Sequence, residues 1–96
     1  MTSDEFEIVA KNAVVNELKN YGIYTDISKL DFFCFAHKVG HKKCTIWGPP
    51  MRTAYAEVTY KYKYGEDELY VDIYQKISNK KIPSSEFNFS ATKENK

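Results

Sequence analysis

The sequence predicts an α+β fold in which one N-terminal helix packs on a four-stranded antiparallel sheet, in the order α-β-β-β-β. Three observations lead to this prediction. Near the N-terminus, apolar residues recur at helical spacing. Over residues 54–64 they occupy every second position, which is the period of a half-buried strand. Aromatic and β-branched runs at 32–38, 42–47 and 68–77 supply the other strands. A chain of 96 residues is the size of one domain and can bury a single core.

The first element is predicted to be a helix that begins after Thr2. Thr2 and Glu5 have the spacing of a capping box, in which each side chain accepts a hydrogen bond from the backbone of the other residue. Gly22 stands where helices commonly end on a residue with positive φ. Between them runs one apolar stripe, made of Phe6, Ala10, Ala13, Val14, Leu18 and Tyr21. Residues 23–31 then form a connector, with a short helical turn expected from Ile27.

The first two strands, predicted at 32–38 and 42–47, form a hairpin around Val39 and Gly40. Gly48-Pro49-Pro50 should end the second strand, because proline has no N–H to donate to a sheet. The third and fourth strands, at 54–64 and 68–77, should pair so that their apolar faces coincide, since a slip of one residue would turn those faces outward. This match predicts a loop at 64–67 and three inward pairs, Tyr62–Leu69, Tyr60–Val71 and Val58–Ile73. On the outer face it predicts Lys61 beside Tyr70, Glu57 beside Tyr74, and Thr59 facing Asp72.

Residues 1–78 are predicted to form the single α+β domain, and residues 79–96 a polar, flexible C-terminal tail. Within the tail, Phe87-Asn88-Phe89 suggests either a short edge strand or a docking motif. The predicted order of elements resembles that of cystatin-like and nuclear-transport-factor-like proteins. The chain has no counterpart of the glutamine-valine-glycine loop of the cystatin inhibitors, so the resemblance concerns element order and transfers no functional residue.

Charge and composition narrow the classes of function. The formal net charge of +1 gives no general attraction to nucleic acid or to an acidic membrane. No run approaches the roughly 18 apolar residues that span a bilayer, and the acidic N-terminus does not resemble a secretory signal. We therefore expect a cytoplasmic protein with reduced thiols. Its glycines are scattered and its carboxylates show no isolated buried pair, so we expect no enzymatic activity and no cofactor.

Every cysteine and histidine of the chain lies in one short window, as Cys34, His37, His41 and Cys44. Such residues are typical zinc ligands, which makes a small zinc-binding protein one alternative. The hairpin divides them, however. A two-residue turn places Cys34 with His41 and His37 with Cys44, whereas a three-residue turn places Cys34 with Cys44 and turns His37 away. We therefore expect buried free cysteines, solvated histidines and no metal. A disulfide would need the second register and an oxidising compartment.

The outer sheet face is the predicted binding surface, because tyrosines among alternating charges suit protein recognition. Its candidate residues are Tyr55, Glu57, Lys61, Tyr70, Asp72 and Tyr74. The structural alternative is that tyrosine is simply favoured on strands, where Tyr–Lys pairs stabilise an exposed face. We expect a small protein-binding module, of which an inhibitor or immunity-type partner is one form. Its partner would be another protein or a second copy of the chain, in a homodimer.

A nucleic-acid-binding protein is the remaining alternative. The region 38–63 carries one acid, Glu57, and six basic residues, Lys38, Lys42, Lys43, Arg52, Lys61 and Lys63. A sheet that binds single strands needs aromatic and basic groups on the same face. Strand alternation instead sends Tyr60, Tyr62 and Tyr64 inward while the neighbouring lysines face outward. The nearly neutral chain also argues against this alternative.

Overall fold

The structure is a computed structural model that describes residues 1–38, 41–63 and 65–91, with the backbone alone at 35–38 and 63. The predicted turn residues Val39, Gly40 and Tyr64 lie outside the described residues. Helix α1 is followed by one antiparallel sheet in the order β1-β2-β3-β4, which confirms the predicted α+β arrangement. The bounds are α1 Ser3–Leu18, β1 Asp31–Lys38, β2 His41–Trp47, β3 Ala54–Lys63 and β4 Glu66–Gln75.

Helix α1 begins at the predicted capping box. The Thr2 backbone N–H donates to Glu5 Oε1 at 2.7 Å, and the Glu5 backbone N–H donates to Thr2 Oγ1 at 3.1 Å. A single 3₁₀ turn follows the helix, and Gly22 ends it with a φ of 76°. Four stripe residues, Phe6, Ala10, Val14 and Leu18, are buried. Ala13 is half-buried and Tyr21 is exposed. Tyr21 belongs to the 3₁₀ turn, whose tighter winding rotates it away from the stripe.

The connector forms the predicted helical turn and closes against the end of β2. Asp26 caps the 3₁₀ turn Ile27–Lys29 by accepting the Ser28 backbone N–H at 2.9 Å. Gly48 packs so closely on this turn that a Cβ atom built there would lie 2.1 Å from the Lys29 carbonyl oxygen. A further 3₁₀ turn, Pro49–Met51, then ends β2 as the prolines predicted.

The β1–β2 hairpin follows one predicted register at its tip and departs from both beyond it. At the tip Lys38 pairs with His41, as a two-residue turn requires, but further along Cys34 pairs with Cys44, one residue out of that register. A β-bulge between Cys34 and Ala36 produces this shift by adding one residue to β1. Cys34 and Cys44 therefore share a face, as predicted for a three-residue turn, although that turn would have paired Cys34 with Ile46.

The predicted β3–β4 register is wrong by two residues. The structure pairs Tyr60 with Leu69, Val58 with Val71 and Ala56 with Ile73. Lys63 pairs with Glu66, so the connection is residues 64–65 rather than the predicted four-residue loop. A shift of two leaves each side chain on its predicted face, so the apolar pattern cannot distinguish the two registers. The observed one shortens the connection between the strands, and it lets the Tyr60 hydroxyl donate to Asp67 Oδ1 at 3.1 Å.

The core lies between α1 and one face of the sheet. Phe6 is fully buried and meets Phe32 edge-on, with ring centroids 5.7 Å apart, and it also contacts Tyr60. The predicted partners Val58 and Tyr60 are buried. Leu69, Val71 and Ile73 on β4 are only partly buried against this cluster. No helix in the described part of the chain has the length and apolarity needed to cross a bilayer.

The segment after β4 lies outside this core. The residues described there are exposed, and Phe87 and Phe89 contact each other edge-on with centroids 6.3 Å apart. Phe87 follows the 3₁₀ turn Ser84–Glu86, and neither phenylalanine belongs to a strand. Of the two predictions for this motif, the edge strand is therefore wrong, and a docking motif stays a prediction.

Candidate functional site

The outer sheet face, defined as the face opposite α1, brings together all six predicted binding residues. On β3 the side chains at 54, 56, 58 and 60 are buried toward the helix, so the intervening residues point the other way. The same alternation on β4 places the partly buried Leu69, Val71 and Ile73 inward. The outer face therefore carries Tyr55, Glu57 and Lys61 from β3 and Tyr70, Asp72 and Tyr74 from β4.

Two tyrosines stack at one end of this face. Tyr55 and Tyr74 are directly opposite each other on β3 and β4, with ring centroids 5.2 Å apart and planes inclined by only 18°. The negative charge of Glu57, followed by burial, raises the pKa of Tyr74. The predicted pair Glu57–Tyr74 is wrong as a direct pairing, because the two-residue shift moves Tyr74 opposite Tyr55.

A lysine and a tyrosine interact in the middle of the face. Lys61 Nζ lies 5.3 Å from the centroid of the Tyr70 ring, within cation–π range. The Tyr70 hydroxyl donates to Glu68 Oε1 at 3.0 Å, and this hydrogen bond raises the pKa of Tyr70. Lys61 is directly opposite Glu68, so the predicted Lys61–Tyr70 pairing is wrong in register, although the two side chains meet diagonally.

The centre of the face concentrates negative charge. Glu57 and Asp72 are directly opposite each other, an arrangement that is unfavourable for two like charges. Lys43 on β2 offsets it in part, with Nζ 3.3 Å from Glu57 Oε1. Within the described residues Asp72 has no ion-pair partner. The predicted pair Thr59–Asp72 is wrong, because Thr59 is opposite Tyr70.

Two further aromatic residues, not predicted from the sequence, lie on this face. Phe33 is 60% exposed and is paired with Thr45, while Trp47 is 38% exposed and is paired with Asp31. Trp47 Nε1 donates to the Arg52 carbonyl oxygen at 3.3 Å, and Arg52 is the one non-glycine residue described with positive φ. Strand alternation in the sequence could have indicated Trp47, because Thr45 and Trp47 point outward where the neighbouring Cys44 and Ile46 are buried.

The possible zinc ligands are divided between the two faces. Cys34 and Cys44 are directly opposite each other on the core side, whereas His41 is opposite Lys61 on the outer face. The His37 side chain lies outside the described part of the structure. Among the described residues, no group of three or more potential ligands could hold a metal ion.

The two cysteines differ in environment, and both are thiols rather than halves of a disulfide. Cys44 is fully buried, and burial raises the pKa of its thiol to about 12. Cys34 is exposed, so the prediction that both cysteines are buried is wrong for Cys34. Cys34 belongs to the edge strand β1, whereas Cys44 lies on the interior strand β2 among the core residues.

The described basic residues of the region 38–63 do not form one surface. Lys42 pairs with the buried Tyr60 and so belongs to the core side, whereas Lys43 and Lys61 lie on the outer face. Arg52 follows the 3₁₀ turn after β2. The Lys38 and Lys63 side chains lie outside the description. Strand alternation thus separates lysines that are close in sequence.

Comparison of the chain with protein-family models, with curated proteins and with solved structures finds no significant match. The geometry and charge of the outer sheet face are therefore the features from which a function can be proposed.

Proposed function

We propose that the protein is a small protein-binding module that contacts its partner through the outer sheet face, as an inhibitor or immunity-type partner would. The observation that carries this proposal is a set of exposed and half-buried aromatic rings held in fixed positions on the outer face. Tyr55 stacks on Tyr74, and Tyr70 is held between Lys61 and Glu68. Ordering these side chains before association reduces the entropy lost on binding, and tyrosine and tryptophan are enriched at interface hot spots.

The size of the face suits a protein partner. A strand of ten residues is about 33 Å long, and four strands spaced by about 4.8 Å make a surface of roughly 600 Å². Standard interfaces bury roughly 800 Å² on each partner, and weaker ones bury less. Phe33 and Trp47 add apolar area beside the tyrosines, as in the core of an interface.

The charge of the face favours a cationic group on the partner. Glu57 and Asp72 are opposite each other, and Lys43 forms an ion pair with Glu57 alone. An arginine guanidinium placed over Asp72 would pair with the carboxylate and could stack on Tyr70 or Tyr74. A nucleic-acid phosphate would meet the same carboxylates with like charge. The outer face therefore supports a protein partner with a basic side chain better than it supports nucleic acid.

The test begins with affinity capture on the immobilised protein and identification of retained proteins by mass spectrometry. The purified partner is then titrated calorimetrically against three forms, the original chain, Tyr74→Ala and Tyr24→Ala. Tyr24 is a matched control, because it is 76% exposed in the connector and does not belong to the sheet. We expect Tyr74→Ala to weaken binding about 30-fold, as for a hot-spot residue losing about 2 kcal/mol, and Tyr24→Ala to have no effect.

Charge reversal gives a second, independent readout. Asp72→Lys should weaken binding of a partner that presents a basic residue, and it should do so less at high salt. Equal binding by all variants would contradict the proposal. Salt-sensitive binding of single-stranded DNA, reduced by Lys43→Glu and Lys61→Glu, would instead support nucleic-acid recognition.

A further inference from the structure

Strand β4 forms one edge of the sheet, since within the described residues it pairs with β3 alone. Just beyond it, the Lys76 backbone N–H donates to the Thr53 carbonyl oxygen at 2.8 Å, on the β3 side. In an antiparallel ladder, successive residues direct their backbone groups to opposite sides. Asp67, Leu69, Val71, Ile73 and Gln75 therefore direct their N–H and C=O groups toward the open edge. Such a row is a template for a further strand.

The two edges of the sheet differ in their protection. Strand β1 contains the bulge between Cys34 and Ala36, and a bulge disrupts the ladder that an added strand would need. Strand β4 pairs without interruption from Glu66 to Gln75 and contains no proline, glycine or lysine. Its inward residues, Leu69, Val71 and Ile73, are only partly buried. The open edge thus combines regular backbone with incompletely covered apolar side chains.

We propose that β4 pairs antiparallel with β4 of a second copy of this chain, about a two-fold axis at Val71. Each residue then faces the residue that lies equally far from Val71 on the other chain. On the core side this places Val71 opposite Val71 and Leu69 opposite Ile73, so that apolar residues meet. On the outer face it places Tyr70 opposite Asp72, Glu68 opposite Tyr74, and Glu66 opposite Lys76.

Charge selects this register over its neighbours. A two-fold axis at Tyr70 would place Glu68 opposite Asp72, and an axis at Leu69 would place Glu66 opposite Asp72. An axis at Asp72 would place that carboxylate opposite its own copy. Like charges directly opposite each other destabilise a sheet. A register shifted by an odd number of residues would place apolar side chains of one β4 strand opposite polar side chains of the other. A two-fold axis beyond Asp72 would leave fewer residues paired between the two strands. The Val71 register avoids like-charge pairs and gains the Glu66–Lys76 pair at both ends.

The resulting dimer would have one continuous eight-stranded sheet, joined by roughly ten backbone hydrogen bonds. Its two outer faces would lie side by side as one surface. This inference does not depend on the proposed function, because strand pairing needs only the edge of β4 and no partner on the outer face.

Zero-length carbodiimide crosslinking tests the register directly, because it joins a carboxylate to an amine in contact. Glu66 and Lys76 of one chain are separated by ten residues of extended backbone, about 33 Å, so a crosslink between them can form only between two copies. We expect this crosslink in peptide maps. We also expect a mass in analytical ultracentrifugation of twice the 11.2 kDa of the chain.

Variants separate edge pairing from other contacts. Val71→Pro removes an N–H that faces the open edge and leaves the hydrogen bonds to β3 in place, so it should yield a folded monomer. Glu66→Lys and Lys76→Glu each create two like-charge contacts and should weaken the dimer, whereas the double variant restores it. These two side chains are exposed, so this series stays informative if Val71→Pro does not fold. Lys80→Glu, also exposed and beyond the pairing, is the matched charge control.

Two results would overturn the proposal. One is a monomeric chain, which would leave the edge to a strand of another protein. The other is a dimer that lacks the Glu66–Lys76 crosslink and is unaffected by the charge series. Neither result bears on the outer face, which Tyr74→Ala tests separately. If Tyr74→Ala loses partner binding but keeps the crosslink, or keeps partner binding but loses the crosslink, the two proposals are independent of each other.

Discussion

Replacing Gly48 by alanine would test how firmly the connector is held against the end of β2. The new Cβ would lie 2.1 Å from the Lys29 carbonyl oxygen, where ordinary contacts are 3.4–4 Å, so the two segments must separate by more than about 1 Å. Overpacking of this kind costs about 1–3 kcal/mol. We expect about 3 kcal/mol here, because the obstacle is backbone rather than the end of a flexible side chain.

The measurement is urea denaturation, with a lower midpoint and an unchanged slope as the expected result. In a domain of this size, 3 kcal/mol corresponds to a Tm lower by roughly 12–24 °C. Gly65→Asn is the control, because Gly65 has a φ of 79°, which asparagine tolerates, and a Cβ there meets nothing within 4 Å. A loss below about 1 kcal/mol for Gly48→Ala would show that the connector moves aside, and would refute the close packing inferred here.

Three further predictions concern the cap and the titratable groups. Thr2→Ala should lower the free energy of unfolding by about 1 kcal/mol in urea titrations. The backbone and side-chain hydrogen bonds of Thr2 lower the pKa of Glu5, so the stability that they add is lost as pH falls through that pKa. Thr2→Ala keeps the backbone N–H and should flatten the acid limb of Tm against pH only in part. A thiol reagent should label Cys34 in the native protein and Cys44 only after unfolding, as peptide mapping would show; rapid labelling of Cys44 would contradict its burial and its pKa of about 12. Burial and the bond to Asp67 raise the pKa of Tyr60, so the unfolded chain deprotonates first and stability should fall as pH rises above 10, less steeply in Tyr60→Phe.

Periodicity was sufficient to predict which residues face the core, but not which residues are neighbours. The alternation in β3 correctly placed Val58 and Tyr60 inward and Tyr55, Glu57 and Lys61 outward. It could not place Val58 opposite Val71, because a strand repeats every two residues and a shift of two preserves both faces. The missing information is the geometry of the connection at 64–65, which a single glycine in the sequence does not determine.

The bulge in β1 explains the second error. The sequence offered two registers for the hairpin, each uniform along its length, whereas the structure keeps the two-residue register at the tip and shifts by one residue between Cys34 and Ala36. Nothing in the local sequence marks this position, since a bulge without glycine carries no distinctive residue. Only the register of a three-residue turn therefore predicted that His41 lies on the opposite face from the two cysteines.

The candidate face was predicted as a set of residues, while its charge pattern was not. The six residues share a face because of alternation alone, which the sequence displays. The pairing of Glu57 with Asp72 and the stack of Tyr55 on Tyr74 depend on register. The basic group proposed on the partner follows from those pairings, which periodicity alone does not determine.

The placement of the single helix has a consequence for how this protein can change. Because α1 covers one side of the sheet, the residues that fold the chain and those that meet solvent on the outer face occupy separate sets of alternating positions. Tyr55, Tyr70 and Tyr74 are not among the buried core residues. The side chains of this proposed binding surface can therefore diverge between related chains, or be selected from a library, with little loss of folding stability. The chain is in this sense a scaffold whose outer face can be varied independently of its core.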